Sequence, residues 1–200
     1  MNLLAHLHLG KGLSPMAAAG NLLADFVPRQ ISGPFAEGVS LHRRIDSFTD
    51  QHPLVVEARE LFHGPYRRFA GVLCDFAFDY CLSNDWENWE RDAGLDGFVD
   101  VQLGRILDTK QPGASQIHAM VTQIHEERWL QGYSKIAGIG NSIARIARRR
   151  RVAEGMLGGE TAIQQRIDDL RGIFSGFYPE LQLFVSVSTA QRPGDSQRFT

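Results

Sequence analysis

His42, Asp46 and Asp50 follow one another at intervals of four in "SLHRRIDSFTD", residues 40–50. An α-helix turns about 100° per residue, so such partners stand only about 40° apart on one face. Leu41, Ile45 and Phe48 fall in the adjoining sector, so this polar stripe borders a core-facing one, while Arg43 and Arg44 point further round. Two more pairs share the spacing. Asp75 and Asp79 lie in "GVLCDFAFDYCL", flanked by Val72, Phe76 and Leu82, and Asn21 and Asp25 lie beside Ala18 and Leu22. A carboxylate in an apolar stripe loses its hydration at a cost of several kcal/mol unless something compensates it. The expected partner is an arginine or a metal.

His6 and His8 supply imidazole nitrogen. At a spacing of two they cannot share one helix face, so either the segment is non-helical or only one of them reaches a common site. A set drawn from His6 or His8, Asp25, His42, Asp46 and Asp79 mixes imidazole with carboxylate, which suits Mn, Fe, Zn or Mg. Such a metal makes hydroxide near neutral pH and stabilises charge on a phosphoryl oxygen. Each element also has a plainer reading. A His/Asp pair can be a surface or capping feature, Asp75 can pair with Arg67 or Arg68, and His52 beside Pro53 can be a turn residue. His63, His118 and His125 are expected to be structural or solvated.

The segments that must position these residues are helical almost throughout. "SPMAAAGNLLADFV" has Ser14 as N-cap and Pro15 at the first helical position. After the loop "VPRQISGPFAEG" comes the helix of His42, which Pro53 ends or restarts. "HPLVVEARELF" follows. "YRRFAGVLCDFAFDYCL" is apolar nearly all round and is expected at the centre of the fold. "GFVDVQLGRILDT", "SQIHAMVTQIHEERWLQGY" and "IGNSIARIARRRRV" show helical apolar spacing. A last helix should run from about Glu160 into "FSGFYPELQLF", bent or broken near Pro179. With no sustained period-2 alternation, the expectation is a single all-α domain over 1–190 and a polar tail over 191–200.

Composition narrows the function classes. The chain has 200 residues, 43% hydrophobic and 22% charged, with net charge −2. That size buries a sizeable core, and the near-neutral balance argues against bulk nucleic-acid affinity while allowing a local basic patch. Cys74 and Cys81 lack CxxC spacing and read as buried thiols of a reducing compartment. No apolar run approaches the roughly 18 residues of a membrane span, and "MNLLAHLHLGKG" does not read as an export signal. The expected location is cytoplasmic.

Several ordered motifs carry a resemblance: "NLLAHLHL" at 2–9, "GNLLADFV" at 20–27, "HRRID" at 42–46, "TD" at 49–50 and "EARE" at 57–60. "WL" with Tyr133, "ARRRR" before a loop and "FYP" at 177–179 continue it. In order and spacing these resemble the acyl-carrier-protein phosphodiesterase family, over nearly the whole chain. The resemblance implies an all-helical fold related to the HD-domain metal phosphohydrolases. It implies hydrolysis of 4′-phosphopantetheine from holo-acyl carrier protein with a divalent cation, Mn²⁺ or Mg²⁺. His6, Asp25, His42, Asp46 and Asp79 match polar positions of the family and are the expected metal ligands, with His8, Asp50 and Asp75 as neighbours. Where similar chains read Asp-His-Phe-Leu before a tryptophan, this one has Asp79, Tyr80, Cys81 and Leu82, with Trp86 following.

On that reading His52 or His8 protonates the leaving serine oxygen, and Arg43 and Arg44 clamp the phosphate. Acyl carrier proteins are strongly acidic, so a cationic docking surface is expected. "RIARRRR" supplies Arg145, Arg148 and Arg149 on one helical side, although arginines at a helix C-terminus also suit the macrodipole. The rival readings are a phosphohydrolase acting on a nucleotide or other small phosphoester, and a non-catalytic helical module that binds carrier protein.

Overall fold

A computed structural model describes residues 1–26, 32–110 and 114–190. Twelve α-helices are formed among them, with no strand: α1 Leu3–Leu9, α2 Pro15–Leu23, α3 Pro34–Gln51, α4 Pro53–Glu60, α5 Ala70–Asn84, α6 Trp86–Trp89, α7 Leu95–Leu107, α8 Ser115–Glu126, α9 Trp129–Gly132, α10 Ile136–Arg149, α11 Gly159–Gln164 and α12 Ile167–Ala190. Two 3₁₀ segments, Gly64–Phe69 and Arg151–Met156, precede α5 and follow α10. The all-α expectation holds. The tail over 191–200 lies outside the described residues, as does part of the loop after Asp25.

Helix α5 is the axle of the molecule. Leu73, Cys74, Phe76, Ala77, Phe78, Cys81 and Leu82 are buried on several sides, and α1, α4, α10, α11 and α12 all pack against it. Both cysteines are free, and burial pushes each thiol up to about 12, so neither is a thiolate near neutral pH.

Local departures from the sequence reading have physical causes. Tyr66 to Phe69 form part of a 3₁₀ turn before α5 rather than its first turn. The segment after α8 breaks where Arg128 takes a left-handed conformation, φ 49°, and restarts as α9. Pro179 sits inside α12 without ending it. It removes one N–H from the ladder, but Phe174, Phe177, Tyr178 and Leu181 around it are buried, and that burial holds the helix together.

The crossing of α2 and α3 is unusually close and decides where the site residues stand. A Cβ on Gly38 would lie 1.9 Å from the Ala17 carbonyl oxygen, and one on Gly20 would lie 2.0 Å from that of Phe35. Only glycine lets the two backbones meet at these points. Gly38→Ala should therefore lower stability by about 3 kcal/mol, at the upper end for overpacking. Gly12→Ala, whose Cβ meets nothing within 4 Å, should be close to neutral in the same urea titration.

Candidate active site

Four helices bring the polar residues together. Helix α1 begins with Asn2, whose side chain accepts from the Leu3 N–H. The next two N–H groups, of Leu4 and Ala5, donate to the two oxygens of Asp79 at 2.9 and 3.0 Å. The partner that the sequence demanded for this buried acid is thus neither arginine nor metal but the N-terminus of a helix, whose unpaired N–H groups and dipole favour an anion. Burial pushes the Asp79 carboxyl up to about 7 while these two bonds pull it down.

Asn21 on α2 ties the next two layers. Its amide donates to the His6 carbonyl at 2.6 Å, and its own carbonyl accepts from His42 Nδ1 at 2.7 Å. That bond fixes the ring of His42 with Nε2 toward the acids: 3.0 Å from Asp46 and 3.7 Å from Asp25. His6 lies flat against His42, ring centroids 3.8 Å apart and planes 15° from parallel, with Nε2 3.2 Å from Asp46. Ligand atoms of His6, His42 and Asp46 all lie within 4.8 Å of one another. The amino group of Met1 bridges Asp46 and Asp75 at 3.3 and 3.2 Å.

The two imidazoles differ in protonation. Desolvation holds His6 down at about 4, so it is neutral. Desolvation also disfavours the charged form of His42, but hydrogen bonds to Asp25 and Asp46 outweigh it and raise that group to about 9. Asp46 is half-buried, which opposes its charge, yet both histidines hold its carboxyl well below the usual carboxylate range. His6 Nδ1 is buried with no hydrogen-bond partner, and His42 Nε2 has only the carboxylates of Asp46 and Asp25 beside it, a donor set of the kind that holds a cation.

His6 and His42, both bonded to Asp46, line a cavity of about 520 Å³. Asp25 and Asp75 stand at its polar side, Leu22, Phe69, Phe76 and Met156 form an apolar wall, and Arg149 and Arg150 close it from the end of α10.

Of the expected site residues, His6, Asp25, His42, Asp46 and Arg149 meet here, with Asp75 beside them. The others do not. Asp79 stands behind α1 with both oxygens taken. His8, two residues from His6 on α1, points the other way into a pocket of Trp86, Phe98 and Tyr178, its Nδ1 2.7 Å from the Tyr178 hydroxyl. His52 caps α4 and faces Glu180, and ten residues of α3 separate it from His42 by about 15 Å. Arg44 donates to Ser188 and lies over Phe184, and neither it nor exposed Arg43 lines the cavity. Asp50 pairs with Arg59. Arg145 stacks 3.7 Å from the centre of the Trp129 ring and reaches Glu127. Tyr80 packs against the core outside the cavity. Among residues the sequence did not single out, Phe69, Val152 and Met156 line the cavity from the 3₁₀ segments, as does Phe26 just beyond α2. No spacing rule marks them, because they converge from distant parts of the chain.

A sequence model of the family described as "Acyl carrier protein phosphodiesterase" matches residues 1–181. Proteins named acyl carrier protein phosphodiesterase are similar over most of the chain. That of Yersinia enterocolitica is 34% identical over 90% of this chain and 95% of its own, and that of Yersinia pestis is 33% identical over the same shares. That of Photorhabdus laumondii is 33% identical over 90% of this chain and 92% of its own. No solved structure matches significantly.

Two outcomes follow from the geometry. Protonated His42 stabilises the metal-free fold fully below pH 6.5, and that contribution is lost as pH rises through about 9. A cation must displace the same proton, so Mn²⁺ affinity measured by calorimetry should rise about tenfold per pH unit up to pH 9 and then level. Asp79→Asn should leave the number of cations bound unchanged and weaken their affinity about 10- to 100-fold, as expected of a group that orients a ligand. A lost equivalent of metal would instead make Asp79 a ligand.

Proposed function

Because the chain belongs to the acyl carrier protein phosphodiesterase family, we propose that the cavity above His6, His42 and Asp46 is where it hydrolyses the phosphodiester joining 4′-phosphopantetheine to holo-acyl carrier protein. The observation that carries this is the group of His6, His42 and Asp46, with ligand atoms within 4.8 Å of one another, in a cavity also lined by Arg149 and Arg150, which make no ion pair among the described residues. One end of the cavity suits a cation and the other suits the anionic phosphodiester.

Imidazole and carboxylate donors without thiolate fit Mn²⁺ or Mg²⁺, and His6, His42, Asp46 and Asp25 are the residues that would hold the ion. Such a cation supplies Lewis acidity toward a phosphoryl oxygen and makes water more acidic. The chain's own groups do the rest. Asn21 keeps the His42 ring in place through Nδ1–H, leaving Nε2 free for coordination. Arg149 and Arg150 bind the remaining phosphoryl oxygens and balance their charge as it grows toward the transition state. Water attacks phosphorus and the serine oxygen of the carrier protein leaves with a proton. Neither His52 nor His8 reaches the cavity to give it. Asp75 does line the cavity, where burial raises its carboxyl against the pull of the Met1 amino group beside it, and it is the acid we assign to that role. Among the described residues no helix is long and apolar enough to cross a membrane, and the cytoplasm, where carrier protein is modified, is the location that goes with this reading.

Intact-mass measurement tests it. Holo-acyl carrier protein incubated with the protein and Mn²⁺ should lose the phosphopantetheine mass, chelator should stop the loss, and His42→Ala should slow it more than about a hundredfold, exceeding the effect of losing a supporting group. No loss with metal bound would reassign the site to another phosphoester. No loss and no metal would leave a carrier-protein-binding module.

A further inference from the structure

The bond to be cut lies at the root of the phosphopantetheine arm, on the carrier protein's own serine. The carrier protein cannot stand off and thread a long arm inward, because its surface must come within a side-chain length of the His6–His42–Asp46 group. The rim of the cavity is therefore the interface, and its composition is on view. Phe26, Val72 and Val152 line the opening with 39%, 40% and 74% of their surface exposed. Exposed large apolar side chains gathered at one opening mark an interaction site more than scattered ones do. A second, open depression adjoins the first, lined by Gly64, Pro65, Arg67, Arg68 and Gly155. The two 3₁₀ segments form both, since Phe69 and Met156 line the cavity while Arg68 and Gly155 line its neighbour.

Charge on this face is one-sided. Arg67, Arg68, Arg149, Arg150 and Arg151 are all exposed and make no ion pair among the described residues. Glu154 is the one carboxylate in the two segments. Arg68 lies 4.5 Å from the centre of the Phe69 ring, which steadies the guanidinium without neutralising it. With Glu154 as the one carboxylate in these segments, the excess of positive charge favours an anionic partner.

We propose that the face formed by Gly64–Phe69 and Arg151–Met156 docks the acidic carrier protein around its modified serine, with Arg67 and Arg68 as charge anchors outside the catalytic cavity. The inference rests on the reading of that cavity as the hydrolytic site. Apolar contacts at the rim with arginines around them match the makeup of interface centres, and the outlying cations steer encounter more than they hold the complex. Arg145, committed to Trp129 and Glu127, is excluded from the surface.

The test is the double variant Arg67→Glu/Arg68→Glu, with Arg67→Gln/Arg68→Gln as a milder form and circular dichroism to verify folding. Two quantities are read: steady-state turnover of holo-acyl carrier protein with Mn²⁺, and calorimetric binding of the same carrier protein in the presence of chelator. The expected result is a KM and a Kd raised about tenfold or more with kcat within about twofold, and a weaker dependence of KM on NaCl than in the parent protein. A change in kcat without a change in KM or Kd overturns the docking surface, as does an unchanged Kd. Binding weakened by the variant in a protein that shows no turnover at all would support the surface and overturn the hydrolytic reading instead.

Discussion

Helix α1 is seven residues long, too short to be stable on its own hydrogen bonds in water. Asp79 closes it from below, taking the Leu4 and Ala5 N–H groups, while Asn2 takes that of Leu3. Everything at the site is measured from this contact. The residue after Ala5, His6, lies against His42, and its carbonyl receives the amide of Asn21, whose own carbonyl orients His42. The carboxylate is buried on the most enclosed helix of the fold, so its position is as rigid as the core.

The charges near the cavity form a graded arrangement. At the floor, Asp46 is surrounded by His6, His42 and the amino group of Met1. Burial alone would favour its neutral form, and the surrounding donors reverse that. Farther out, Asp25 is mostly exposed and meets the cluster through His42. A cation entering this set replaces the proton of His42 rather than adding to a settled charge balance, which couples affinity to pH. The stacked histidines reinforce the point: charge on one ring opposes charge on the other, so the neutral, ligating state of His6 is built into the packing.

The sequence carried the helical fold and the core of the site for a simple reason. The (i, i+4) pair on α3 reports a shared face regardless of tertiary context, and His42 and Asp46 landed together, with Asp25 from the turn after α2 beside them. Periodicity could also state that His6 and His8 would not both reach the site, but not which one would. That choice depends on the roll of α1, which Asp79 and Asn21 set from other helices. Asp79 itself was readable as a buried acid needing a partner. Its partner proved to be backbone, which has no sequence signature. Arg43 and Arg44 adjoin His42 in the chain and diverge from it in space by 100° per residue, so adjacency misled where the helical wheel did not. Pro179 was overruled by the aromatic packing around it, a tertiary effect invisible to local propensity.

On the proposed placement, the chemistry sits in an open cavity bordered by 3₁₀ turns rather than at the bottom of a tunnel. A thioester at the far tip of the arm can be processed deep inside an enzyme. A phosphodiester at its root cannot, because the macromolecule attached to it has to be accommodated at the same place. A site for that bond therefore combines a rigid, buried ligand floor with a wide mouth. Helices α1, α2, α3 and α5 provide the floor, held by backbone-to-side-chain bonds that leave little freedom. The segments at Gly64–Phe69 and Arg151–Met156 provide the mouth, where short turns present arginines and apolar side chains without walling in the partner. The division assigns rigidity to the groups that must meet the phosphorus and accessibility to those that must meet a protein surface.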